Sequence, residues 1–249
     1  MPPPTGKRSL HWFRSDLRLG DNTALSSAAA GTAELATLFV FDERLLSAPG
    51  RSVPRVRFLL ATLERLTAEL EKRGQRLLVR TGDPRTEVPA VAAEVGASLV
   101  TWNRDYGPYA KSRDAAVARE LEARGIESAP HKDRVVFEAD EIVTQQGGAF
   151  AVYTPYRNAW WRGFERRASR GPTRLRLPPP VPAVRAGRLP TESELRVAGD
   201  PTALPKPGEA AALQRLRSFL DRHVGRYEKA RDFPALDATS RLSPYLRFG

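Results

Sequence analysis

From Ser9 to about Ile126, short apolar runs at Leu10 to Phe13, Ala36 to Phe41, Arg76 to Val79 and Ser98 to Trp102 alternate with longer stretches of helical spacing. That alternation constrains the fold more than any other feature of the sequence, because repeated strand–helix–strand units place strands parallel and helices on the sheet faces. Between the second and third runs, Val56, Leu59, Leu60, Leu63, Leu66 and Leu70 follow one helical face and Gly74 supplies a stop. Two more helices are predicted over Pro84 to Val95 and Tyr109 to Arg124, the second ended by Gly125 before an apolar stretch at Ile126.

After His131 the regularity fades into a connector with Gly147-Gly148, then VYTPYRNAWWRGF, then RLRLPPPVPAVRAGRLP. A stretch this rich in Pro fits neither a helix nor a central strand, so it predicts an extended linker crossing the surface. From Glu209 a helical pattern resumes, with Leu213, Leu216, Leu220, Val224 and Tyr227 on one face. The expected organisation is an α/β domain over residues 8–131, a Pro/Arg-rich interdomain connector over 132–204, and the beginning of a helical domain over 205–249. A helical domain cut at its first turns leaves Leu216 and Leu220 uncovered, so poor solubility or association is expected unless the remainder is supplied.

The chain carries 40 Lys and Arg against 29 Asp and Glu, a net charge of +11. Such a balance favours a polyanionic partner, nucleic acid before anionic membrane, although Arg-rich composition alone gives a basic surface with no partner. The absence of Cys excludes disulfides, thiolate zinc sites and a Cys nucleophile, which fits a cytoplasmic location. MPPPTGKRSLHWF lacks the apolar region of a signal peptide, and no apolar run approaches the roughly 18 residues that span a bilayer. No membrane partner is expected. There is no G-x-G-x-x-G after the first strand and no P-loop, and His11, His131 and His223 have no metal-ligand spacing, so no metal is assigned.

Three stretches carry possible chemistry. FRSDLRLGDNTAL places Arg14, Asp16, Arg18, Asp21 and Asn22 directly after a strand, at the end where open sheets bind ligands. The plainer reading makes Asp21 or Asn22 the cap of a helix starting at Thr23, with Arg14 or Arg18 paired to Asp16. In DATSRLSPYLRFG, Ser243 followed by Pro244 predicts a helix start. There Thr239, Ser240 and Ser243 offer hydroxyls, Arg241 a guanidinium, and the helix start its free N–H groups, which are the parts of a phosphate cradle or simply of a capped helix. YTPYRNAWWRGFERR interleaves aromatics with Arg, which suits stacked bases, but the adjacent Trp160 and Trp161 are read as pinning a connector onto the core.

Taken together these stretches resemble the DNA photolyase and cryptochrome family over nearly the whole chain. HWFRSDLRLGDNTAL is similar to the family's first strand and loop, WNRDYGPYAKSRD to its fourth-strand motif, VYTPYRNAW to its connector, and YEKARDFPALDATSRLSPYLRFG to the entry of its flavin domain. The resemblance implies an α/β fold with a Rossmann-like parallel sheet and flanking helices, a long linker, and the start of an all-α FAD-binding domain. It implies FAD contacts at Tyr227, Thr239, Ser240, Arg241, Leu242 and Ser243, and a DNA contact at Arg231.

For the antenna pigment, the resemblance favours 8-hydroxy-5-deazaflavin over methenyltetrahydrofolate. Ala110 stands where folate users carry a pterin-binding glutamate, whereas Arg55 and Asp105 match deazaflavin contacts and Gly107 departs from an acidic residue of that pattern. The implied activity is deoxyribodipyrimidine photolyase: light-driven repair of cyclobutane pyrimidine dimers in double-stranded DNA by reduced FAD, with the dimer flipped out of the duplex. The complete protein is expected to be monomeric. Lesion-contacting groups lie, in the family, beyond Gly249, so this chain alone is expected to be inactive. A cryptochrome-type blue-light receptor, or a truncated pigment-binding module without catalysis, remain the alternatives.

Overall fold

A computed structural model describes residues 6–48, 52–167, 175–182, 184–199 and 203–249. Strands β1 (Arg8–Phe13), β2 (Glu34–Asp42), β3 (Leu77–Gly82), β4 (Leu99–Asn103) and β5 (Glu127–His131) form one parallel sheet in the order β3-β2-β1-β4-β5. Helices α1 (Thr23–Ala29), α2 (Glu43–Leu46), α3 (Val53–Glu71), α4 (Pro84–Glu94) and α5 (Pro108–Ala123) connect the strands. Gly74 and Gly125 take positive φ just beyond α3 and α5, the left-handed residue that ends a helix cheaply.

Strand alternation decides which side chain meets which layer. Phe13 and Leu35 pack with Leu25, Leu63 and Leu70 on one face of the sheet. Leu10, Trp12 and Leu38 pack with Val91, Val100, Trp102, Val117 and Leu121 on the other. β2 is buried along its whole length, as a parallel strand covered on both faces must be.

The Pro-rich connector does run extended, but it is built into the fold. Leu35 and Val79 donate backbone N–H groups to Pro179 O (2.9 Å) and Ala186 O (2.7 Å), and Val181 and Val184 are buried. It thereby covers β3, an edge strand that would otherwise present unpaired backbone. Gly187, at φ +76°, lies so close to the Val79 carbonyl that a Cβ there would collide with it. Arg174 and Ala183 of this stretch lie outside the described residues, as does Met1 to Thr5 of the N-terminal segment.

VYTPYRNAWWRGF forms a helix, α6 (Tyr153–Glu165), whose Pro155 sits in the first turn where its missing N–H costs nothing. The expected pinning to the core is not what the structure contains, because α6 has no buried residue and Trp161 is 48 % exposed. Trp160 instead stacks on Phe164 (5.2 Å) and meets Phe137 edge-on (5.6 Å), a satellite aromatic cluster outside both core layers.

Helix α7 (Glu209–Arg222) begins where the pattern predicts and ends at His223. A short 3-10 turn and α8 (Tyr227–Ala230) follow, so Val224 and Tyr227 do not share a continuous helix with Leu213. Leu213, Leu216, Leu220, Val224 and Tyr227 are all exposed. The last helix, α9 (Ser243–Phe248), returns to the sheet: Tyr245 and Phe248 lie 5.6 and 6.1 Å from the Phe58 ring of α3, and Leu17 N–H donates to Phe248 O at 2.6 Å. Among the described residues no helix is long and apolar enough to cross a membrane.

Candidate functional site

The chain proceeds from β1 outward through β2 to β3, then crosses back to place β4 on the other side of β1. Side chains past the carboxyl ends of strands diverge at such a switch point and leave a crevice. Here the crevice is a cleft of about 330 Å³ lined by Trp12, Phe41, Asp42, Arg55, Asp105 and Arg113, and by Arg247 and Phe248 of α9.

Arg55 and Asp105, 50 positions apart in sequence, thus face one space. Arg55 projects from the first turn of α3 and makes no ion pair among the described residues, while Asp105 pairs with Arg134 at 3.3 Å. Arg134 and other nearby cations hold the Asp105 carboxyl below its ordinary value, against the desolvation that pushes the other way. Burial, and then the neighbouring Arg134, lowers the Arg247 guanidinium, with Arg55 acting in the same direction and Asp105 opposing. Three arginines around one carboxylate leave the mouth electropositive.

The inner wall is fixed. Arg113 lies over the rings of Trp12 (5.0 Å) and Tyr109 (5.6 Å), donates to Asp114 (3.0 Å), and stands 3.8 Å from Asp42. Tyr109 donates its hydroxyl to Asp42 at 2.6 Å, and desolvation together with that bond pushes the phenol up to about 12. Arg14 grips Asp114 with two bonds of 2.6 and 2.7 Å, donates to Asn103 O, and also lies over Trp12 at 4.9 Å.

Behind this wall the β1–α1 loop is held by a buried network. Asp16 accepts from Arg14 N–H (2.8 Å) and from Asn103 Nδ2 (2.6 Å); Asn103 Nδ2 also donates to Asn22 Oδ1 (2.8 Å), and Asn103 Oδ1 accepts from Ala24 N–H (3.0 Å). Asn22 caps α1 by accepting from Leu25 N–H at 3.0 Å, as one of the two sequence alternatives held. The expected Arg14 or Arg18 pair with Asp16 does not form. Arg14 pairs with Asp114 and Arg18 with Asp133 (2.9 Å), because the fold brings α5 and the β5 exit against this loop.

The second group of predicted residues lies in the turn before α9. Thr239, Arg241 and Ser243 are exposed and Ser240 is half-buried. Ser243 is the first helical residue rather than the cap; Leu242 occupies the cap position, with no side-chain capping bond. Arg241 adopts a positive φ of 50° and pairs with Asp237 at 3.0 Å, while Arg215 of α7 donates to Ser240 O at 2.9 Å. The backbone N–H groups of residues 239–242 donate to nothing among the described residues. A turn with free N–H donors and solvent-facing hydroxyls has the donor chemistry that a pyrophosphate needs. Tyr227 packs on Phe219 at 5.7 Å, and exposed Arg231 lies over the Tyr227 ring at 5.8 Å with Asp232 at 3.8 Å.

Sequence reasoning missed Trp12, Asp42, Arg113 and Arg247 in the cleft and Asn103 behind it. Asp42 and Asn103 carried a signal, since each is a polar residue closing an apolar strand. Arg247 carried none, because only the return of α9 brings it to the sheet.

A parallel sheet with a crevice at its switch point, and a C-terminal helix that returns to rim that crevice, defines an α/β protein with a helical extension. A family model described as DNA photolyase matches residues 9–182, and the chain belongs to that family. It is 36% identical over 245 residues to a deoxyribodipyrimidine photo-lyase of Synechococcus sp., with 96% of this chain and 51% of that protein covered. It is 38% identical to the photo-lyase of Halobacterium salinarum, covering 96% and 52%. A bacterial class III photolyase from Agrobacterium tumefaciens superposes with a TM-score of 0.81 at 31% identity, covering 96% of this chain and 50% of that one. The chain therefore spans about half the length of these relatives. An uncharacterised 31.6 kDa protein of Synechococcus sp., 34% identical, is covered over 84% of its length.

Proposed function

We propose that this chain is the antenna and flavin-anchoring part of a deoxyribodipyrimidine photolyase that repairs cyclobutane pyrimidine dimers in DNA. The observation that carries the reading is the meeting of Arg55, Asp105 and Arg247 across one cleft, with Arg247 on the helix that directly follows the 239–243 turn. Both implied cofactor sites then sit on one packed body. FAD, when bound and reduced, supplies the light-driven electron donation.

In this reading Thr239, Ser240, Arg241, Leu242 and Ser243 hold the FAD pyrophosphate, with Arg241 exchanging Asp237 for phosphate, and Tyr227 contacts the flavin. Arg231, exposed, neutralises a DNA phosphate. In the cleft, Arg55 and Arg247 hold the anionic part of an antenna pigment while Trp12, Phe41 and Phe248 cover its ring; 8-hydroxy-5-deazaflavin fits that set, and Ala110, buried in α5, leaves folate without its carboxylate partner. The volume lies at the small end of the usual range for such sites, about 300–1,000 Å³. Arg55→Ala is expected to weaken deazaflavin binding about tenfold, the cost of one charge-assisted contact, read by equilibrium dialysis. Unchanged affinity would remove Arg55 from the site.

The alternative readings are a pigment-binding module without catalysis and a cryptochrome-type blue-light receptor without repair. The deciding experiment exposes ultraviolet-irradiated plasmid to blue light with the protein purified from its source, FAD and a reductant, and counts surviving dimers. Light-dependent loss of dimers supports the photolyase; retained pigment with no repair supports the module or a cryptochrome-type receptor.

A further inference from the structure

A cleft of about 600 Å³ opens between α3 and the start of α7 and belongs to neither site described above. Its floor is apolar, with Leu66 from α3 and Pro207 and Leu213 from the α7 side. Its rim carries Arg65, Arg73 and Lys206, which are exposed and make no ion pair among the described residues. Arg65 projects from the C-terminal part of α3 and Arg73 from the turn just beyond its end, and both line the cleft.

Both carboxylates of the cleft are already engaged. Glu69 accepts from Lys72 at 2.7 Å, and that bond, reinforced by Lys72, Arg73 and Arg65, holds its carboxyl below the ordinary value. Glu209 turns its carboxylate onto two consecutive backbone donors, Leu19 N–H (3.0 Å) and Gly20 N–H (3.2 Å). A Cβ at Gly20 would meet the Glu209 carboxylate and push it off these two donors. The cleft wall thus already holds one anion on backbone N–H groups, while three cations on the rim lack partners.

We propose that this cleft binds a nucleoside polyphosphate, with the phosphate chain between Arg65, Arg73 and Lys206 and the ring system on Leu66, Pro207 and Leu213. Separated cations suit a charge spread over several phosphates, and an apolar floor suits a base face rather than a bare ion. The cleft shares no residue with the switch-point cleft or with the 239–243 turn. Its failure therefore leaves the photolyase reading untouched, and the reverse holds as well.

The test is calorimetric titration of the full 249-residue chain with ATP, and separately with inorganic tripolyphosphate, at low salt. One ATP per chain is expected, bound more tightly than tripolyphosphate. Arg65→Ala with Arg73→Ala is expected to weaken ATP roughly a hundredfold, about tenfold for each charge-assisted contact. Glu69→Gln, which removes the carboxylate between the two arginines, is expected to tighten it. The pair Arg119→Ala on α5 with Arg124→Ala at its C-terminal cap changes net charge equally and is expected to leave binding intact. No ATP binding, equal loss in the two double variants, weaker binding by Glu69→Gln, or tripolyphosphate binding as tightly as ATP each overturns the proposal. Because Arg65 and Arg73 are exposed, unchanged thermal melting of the variants separates lost binding from lost folding.

Discussion

Asn103→Ala is expected to lower the unfolding free energy by about 3 kcal/mol or more, the range for breaking a buried charged network by deleting one partner. The side chain is 3 % exposed and makes three bonds that solvent cannot replace: to Asp16, to Asn22 and from Ala24 N–H. Truncation leaves the buried Asp16 carboxylate short of its 2.6 Å donor, and the Ala24 N–H in the first turn of α1 without an acceptor. A simple cavity from an amide of this size would cost less; the orphaned charge dominates. Because Asp16 also holds Arg14 N–H at 2.8 Å, the loop that carries Arg14 into the switch-point cleft loosens too, and pigment affinity should fall with stability. Urea unfolding of the variant checks the first effect. A loss below about 1 kcal/mol, the net worth of a single replaceable hydrogen bond, would mean that water enters and takes over the network.

The sheet and its helices were legible because their information is local. The spacing of Val56, Leu59, Leu60, Leu63, Leu66 and Leu70 is enough to define the inward face of α3; all but Leu59 are buried, and Leu59 packs partly buried against the core. The loop after β1 was legible as a polar cluster but not in its pairings, since the partners of Arg14 and Arg18 lie 100 and 115 residues away. Which carboxylate a guanidinium reaches is set by strand order, and no window of sequence carries that order. The same reason hides Arg247, and hides the partners of Asn103 though not its place at the end of an apolar strand.

The connector shows a different failure. Its Pro content excludes a regular ladder strand, which led to a surface linker, yet carbonyls need no N–H of their own to pair. Pro179 O and Ala186 O accept from the sheet while Val181 and Val184 enter the core. For α6, a Trp pair reads as core because large rings usually are buried; here the rings pack on one another and Trp160 on Phe137, while Trp161 stays 48 % exposed. On α7, Leu216 and Leu220 are 36 % and 50 % exposed.

The second large effect is on acid stability, and it arises on β1, the strand that pairs with the one carrying Asn103. His11 is completely buried, with Nδ1 3.1 Å from Thr101 Oγ1 and with Nε2 making no hydrogen bond. Desolvation outweighs the attraction of Asp16 at 4.0 Å and lowers the imidazole from its ordinary 6.5 to about 4. The folded chain therefore keeps His11 neutral where the unfolded chain takes up a proton. Stability is constant above about pH 6.5, falls as pH drops towards about 4, and is flat with respect to this group below that, a total loss of about 3 kcal/mol for such a shift. His131, lowered by burial and by Arg104, adds to the loss in the same direction. Carboxylates held below their ordinary values, such as Glu194 at about 2 through its bond from Arg188, lose their contribution only at lower pH. The two causes thus separate along the pH axis. Urea unfolding across pH 7.5 to 4.5 should show the decline in the native sequence and a much flatter line in His11→Gln, whatever that variant's absolute stability. Parallel slopes for the two proteins would mean that His11 charges in the folded state, and that the Asp16 carboxylate, not burial, governs it.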